Sequence, residues 1–150
     1  MALDWTLASL HHLAIFALAA ILATEIAMTS GDLDGRTILR LARIDGWYGA
    51  VAAIVLAVGL ARVFLGAKGA DYYAANTLFW IKMALFAGVA GVSVWPTLRY
   101  LVWRRAVRHH EHYKPTRAEI DGVRRALWIE TALFALIPIA AAGMARGFGL

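Results

Sequence analysis

Apolar residues gather along this chain in four long runs, with the polar residues concentrated between them. The runs cover roughly Trp5–Met28, Ile44–Leu65, Thr77–Trp103 and Ala126–Ala145. Each approaches or exceeds the ~20 residues that a helix needs to cross a hydrocarbon core. A chain of 150 residues has room for one domain. A hydrophobic share of 61% and a mean hydropathy of +0.64 exceed what a soluble core of that size encloses. The excess must face lipid, so the pattern predicts an all-α integral membrane protein, a single four-helix bundle.

The first run begins after Asp4 with no Lys or Arg before it, unlike a basic signal-peptide start, and is read as a retained helix. Charge then orients the bundle. Loop one contains Arg36, Arg40 and Arg43, and loop three Arg104, Arg105, Arg108, Lys114, Arg117, Arg124 and Arg125. Loop two offers only Lys68 and the carboxyl tail only Arg146. By the positive-inside rule loops one and three are expected in the cytoplasm, with loop two and both termini outside, in the periplasm. The same rule accounts for the net charge of +5, so nucleic acid is not an expected partner. The absence of cysteine excludes disulfides, thiolate metal sites and Cys nucleophiles.

Gly46, Gly49, Gly59, Gly88 and Gly91 are expected to let helices approach closely. Pro96 and Pro138 are expected to bend the third and fourth spans. Trp5, Trp47, Tyr72, Tyr73, Trp80, Tyr100, Trp103 and Trp128 lie near predicted helix ends and read as interfacial belts.

Ionisable residues inside a membrane cost several kcal/mol unless paired, ligated or wetted, so they carry the chemistry. His11, His12, Arg62 and Lys82 fall at comparable depth near the outer surface. Consecutive residues differ by about 100° around a helix, so only one imidazole can face the bundle squarely. His11 shares its face with Glu25, two heptads away, and is the expected inward residue. Neutral imidazole ligates haem iron, and Arg62 and Lys82 could neutralise propionates. Nearer the cytoplasm, Glu25, Arg43, Asp45, Arg99 and Glu130 alternate in sign and suggest a structural ion-pair network at the helix ends. His109, His110 and His112 lie in the basic loop three with no strong metal-site spacing, and read as a solvated, headgroup-facing segment.

Three segments resemble the HemJ-type protoporphyrinogen oxidases and the wider CopD-like superfamily of small membrane proteins. They are LHHLAIFALAA at Leu10–Ala20, LARIDGWYGAVAAIVLAVGL at Leu41–Leu60 and LFWIKMALF at Leu78–Phe86. The resemblance implies a b-type haem. His11 corresponds to the helix-one His, Lys82 to the helix-three Lys, and Arg43 to the Arg that precedes helix two. Here His12 adds a second imidazole, Ala14 replaces a usual Gly, and Trp47–Gly49 replaces a usual Pro. The chain therefore looks like a cousin of the oxidases.

The leading expectation is a haem b-binding protein of the bacterial inner membrane with an electron-transfer or oxidoreductase role, porphyrinogen oxidation included. His11 is the expected axial ligand, and His12 or Lys82 serves the opposite side or supports it. Arg62 and Lys82 hold the propionates. A quinone or another electron carrier, membrane lipids and a second copy of the chain are expected partners. The alternatives are a copper or small-solute handling protein using His11 and His12 without haem, and a purely structural subunit. Copper(I) favours sulfur, and only four scattered Met are present.

Overall fold

The computed structural model describes residues 2–66, 69–110 and 112–149. Lys68, the basic residue expected in loop two, lies outside the described residues. The described chain is helical throughout, without strands. Its elements are α1 (Ala2–Thr29), α2 (Gly35–Leu65), the short α3 (Gly69–Ala75), α4 (Thr77–His109) and α5 (Arg117–Ala145). The four long helices are each apolar enough over part of their length to cross a membrane. They have 28 to 33 residues and so run for about 42–50 Å. That exceeds a hydrocarbon core of ~30 Å, so their ends project beyond it.

Two of the spans begin well before the apolar runs do. α2 starts at Gly35 instead of near Ile44, and α5 at Arg117 instead of near Ala126. The first turns of α2 are charged yet amphipathic: Ile38, Leu41 and Ala42 are buried while Arg40 and Arg43 face outward. Both starts are capped. Asp34 Oδ1 accepts the Thr37 amide at 2.7 Å. Thr116 and Glu119 form a reciprocal capping box that satisfies two otherwise unbonded amides. Because of these early starts, and because α4 runs on past Trp103 to His109, most basic residues assigned to loops one and three stand on helices. Arg36, Arg40 and Arg43 belong to α2, Arg104, Arg105 and Arg108 to α4, and Arg117, Arg124 and Arg125 to α5. Lys114 remains in the loop and pairs with Asp32 across the basic end at 3.3 Å.

α1 packs chiefly on α2 and α4 on α5, and the two antiparallel pairs join through α2–α4 and α1–α5 contacts. The core concentrates toward the basic end, around Leu18, Leu22, Ile38, Leu41, Trp103, Val123 and Leu127. At the other end the C-terminal segment folds back. The Thr77 amide donates to the Gly149 carbonyl at 2.8 Å, and Asn76 Nδ2 donates to Phe148 O at 3.1 Å. Gly149 takes φ +91°, and a Cβ there would lie 2.8 Å from Asn76 Oδ1, so only glycine fits this closure.

α4 and α5 run unbroken through Pro96 and Pro138. Two further expectations are revised. Of the five glycines expected at helix contacts, Gly46, Gly49 and Gly91 face open space, while Gly59 and Gly88 meet a neighbouring helix. Trp5, Trp47, Trp80 and Trp128 are exposed as an interfacial belt requires, but Tyr100 and Trp103 are fully buried core residues on the inward face of α4. Large apolar side chains such as Phe16, Phe64 and Ile139 point outward, the arrangement of a protein whose surroundings are lipid.

Candidate functional site

The bundle holds two polar layers. The first lies toward the end carrying both termini, where α1 and α4 begin and α2 finishes. His11 points inward and is half-buried, with its ring against α2, where a Cβ on Gly59 would stand 3.2 Å from Cε1. That residue has to be small for the imidazole to lie between the helices. The ring also approaches the Val55 carbonyl, but its buried Nδ1 makes no hydrogen bond. Arg62 and Lys82 stand close enough for their charges to act on the imidazole. Arg62 Nε is buried without a hydrogen-bond partner. Lys82 Nζ sits 5.5 Å from the centre of the Phe79 ring, a cation–π contact. Among the described residues the ion pairs are Arg99–Glu119 and Lys114–Asp32, so neither Arg62 nor Lys82 has a carboxylate partner there.

His12 faces out of the bundle. Its Nδ1 donates to the Ala8 carbonyl at 2.7 Å, which leaves the lone pair on Nε2, directed away from the backbone. The two rings are edge to face with centroids 6.4 Å apart. The structure thus brings together His11, His12, Arg62 and Lys82, and leaves Arg43 apart. Arg43 lies inside α2, not before it, at the opposite end of the helix. It is exposed beside a shallow surface cleft shared with Met28, Thr37, Arg40 and Ile44.

The second layer overturns the ion-pair network expected near the basic end. Arg99 leaves it: its guanidinium stacks 5.4 Å from the Trp95 ring centre and pairs with Glu119 at 3.6 Å. Arg43 leaves it too. What stays inside is acidic and phenolic: Glu25 from α1, Asp45 and Tyr48 from α2, Tyr100 from α4 and Glu130 from α5. Glu25 and Glu130 are 2% and 1% exposed. Asp45 and Glu130 lie well inside their helices, because α2 and α5 begin earlier than the apolar runs suggest.

The Tyr100 hydroxyl donates to Glu25 Oε2 at 3.4 Å, and Thr97 Oγ1 donates to Asp45 Oδ1 at 2.7 Å. Tyr48 faces Glu130 without closing a hydrogen bond. Glu25 Oε1, Glu130 Oε1 and the Tyr48 hydroxyl are buried with no hydrogen-bond partner. Asp45 and Tyr48 also wall a cleft of about 240 Å³ between α2 and α4, where Ser93 and Thr97 are the other polar residues. Reading signs along the sequence could not find this cluster. It emerges only when helical phase separates inward acids from outward bases.

Four apolar spans around a core with unneutralised polar layers define an integral membrane protein of the small helical-bundle class. The sequence model of one family, described as predicted membrane protein (DUF2214), matches residues 3–149, and the chain belongs to that family. No curated protein and no solved structure matches it.

Proposed function

We propose that this membrane protein binds haem b at the His11–Arg62–Lys82 layer and serves an electron-transfer or oxidoreductase reaction in the bacterial inner membrane. The observation that carries the reading is the pair of orphaned nitrogens, His11 Nδ1 and Arg62 Nε, beside a second cation with no carboxylate partner. An unbonded buried donor or acceptor costs on the order of 1–3 kcal/mol, more for a charged group, and a bound ligand offsets that cost. The donor set fits an anionic macrocycle: an imidazole nitrogen suits iron, and Arg62 and Lys82 suit the propionates. Bound haem would supply a one-electron couple.

The protein's own part is to orient and to neutralise. Gly59 admits the imidazole, α2 and α4 supply positive charge beside it, and His12 presents Nε2 outward as a second candidate ligand. Neither of the two clefts described above is lined by His11, Arg62 or Lys82. The basic loop ends would then lie in the cytoplasm and both termini in the periplasm. The resemblance of Leu10–Ala20 and Leu78–Phe86 to the HemJ-type oxidases supports the same ligand.

Absorption spectra of detergent-purified protein from haem-replete cells test this. A Soret band with reduced α and β bands is expected, lost or shifted in His11→Ala and weakened in Arg62→Gln. A colourless preparation that also fails to take up added haemin overturns the proposal.

A further inference from the structure

The acidic layer shares no residue with the haem layer and has a need of the opposite sign. From every helix packed around it the titratable groups are Glu25, Asp45, Tyr48, Tyr100 and Glu130, and no Lys, Arg or His of the described residues pairs with them. Carboxylates inside a membrane persist only with compensating positive charge or water. With no base of the described residues paired to them, the compensation comes from outside the chain, as water, a cation or a bound proton. Among the described residues no three His, Asp or Glu side chains converge as metal ligands would, so a chelated metal ion does not match the arrangement.

Protons do match it. Each carboxyl adjoins a hydroxyl that both donates and accepts: Tyr100 at Glu25, Thr97 at Asp45 and Tyr48 facing Glu130. Tyr48 is 6% exposed and its hydroxyl is unbonded, as are Glu25 Oε1 and Glu130 Oε1. These are donor and acceptor positions that no group of the described residues fills. Asp45 and Tyr48 connect the buried group to the α2–α4 cleft, whose wall includes Gly46 and Gly49, and a Cβ on either meets nothing within 4 Å.

We propose that the layer is a proton-carrying centre, loaded from the α2–α4 cleft through Asp45 and holding its protons on Glu25 and Glu130. In the loading step a hydronium in the cleft gives its proton to an Asp45 carboxylate oxygen and leaves as water. The proton then passes to an interior carboxylate, Asp45 regains its negative charge, and no electron moves. Chains of intramembrane Asp and Glu serve this purpose in proton pumps and transporters.

Infrared difference spectra of the protein in lipid nanodiscs test the assignment. Protonated-carboxyl C=O bands should titrate reversibly and shift in D₂O, and Glu25→Gln and Glu130→Gln should each remove one. Asp45→Asn should slow deuterium exchange at the interior pair by about tenfold, equivalent to ~1.4 kcal/mol of added barrier. Gly49→Leu, which fills the cleft and keeps every carboxyl, should slow it as well, and serves if Asp45→Asn does not fold. The proposal is overturned if titrating bands are absent, if filling the cleft leaves exchange unchanged, or if sodium at constant pH displaces the bands as protons do. None of these readouts depends on bound haem.

Discussion

Gly59 and Gly49 sit on the same helix in opposite surroundings, and replacing each in turn separates packing from helix propensity. A Cβ at Gly59 would lie 3.2 Å from His11 Cε1 and 3.7 Å from Nδ1, whereas one at Gly49 meets nothing within 4 Å. Alanine at either position gains up to ~1 kcal/mol of helix propensity. At Gly59 the ring must also give way by 0.2 Å to reach ordinary contact at 3.4 Å (3.4 − 3.2), so Gly59→Ala should be nearly neutral. Leucine is decisive. At Gly59 its three further carbons must enter the α1–α2 contact and drive His11 aside, an overpacking cost of about 1–3 kcal/mol. At Gly49 they extend into the α2–α4 cleft. Because both leucines carry the same propensity, Gly59→Leu should be less stable than Gly49→Leu by about 1–3 kcal/mol. Denaturant unfolding in a fixed detergent, followed by circular dichroism, measures the difference. Gly59→Leu should also displace any haem bound through His11, while Gly49→Leu should not. A difference within ~0.5 kcal/mol, the usual scatter of surface changes, would refute the inward placement of His11.

The caps outside the spans make two further predictions. Thr116→Ala removes the hydroxyl half of the α5 capping box and should cost about 0.5–2 kcal/mol in the same unfolding assay; an unchanged midpoint would mean that α5 does not depend on that cap. The Thr37 hydroxyl and amide hold the Asp34 carboxyl below the usual carboxylate range. A lowered native value contributes stability that is present above the unfolded value and lost as pH falls through the native one. The advantage of wild type over Asp34→Asn should therefore hold near neutrality and shrink on acidification, and a difference independent of pH would contradict it.

The four spans were legible because apolar runs of that length have few alternative explanations. The phase of α1 was legible as well: the two-heptad spacing from His11 to Glu25 put both on one face, and both turn inward. Helix starts were less so, because hydropathy marks where lipid begins and the caps at Asp34 and Thr116 mark where the helix begins. α3 was missed, as seven residues of mixed character leave no periodic signal. The largest error concerned Glu25, Arg43, Asp45, Arg99 and Glu130, whose alternating signs suggested mutual pairing. These residues share a depth, but helical phase turns them in different directions. Arg43 points outward and Arg99 turns to Glu119, so the bases leave and the acids stay.

That separation constrains what each layer needs. His11 and Glu25 are fourteen residues apart on α1, so the cationic and acidic layers stand about 21 Å apart along the bundle. At that distance one opposite charge pair is worth roughly 0.8 kcal/mol with an effective dielectric constant of ~20. A single charged side chain at the bilayer centre costs several times as much, ~2.5 kcal/mol or more. The layers therefore cannot neutralise each other through the protein. Each layer is close to electrostatically independent of the other. Removing the charge of Glu130 should leave an anionic ligand at Arg62 undisturbed, and Arg62→Gln should leave the carboxyl bands of the acidic layer in place. If either substitution abolishes the signal of the other layer while the helices remain folded, the two sites are joined by a path longer-ranged than this electrostatic argument permits.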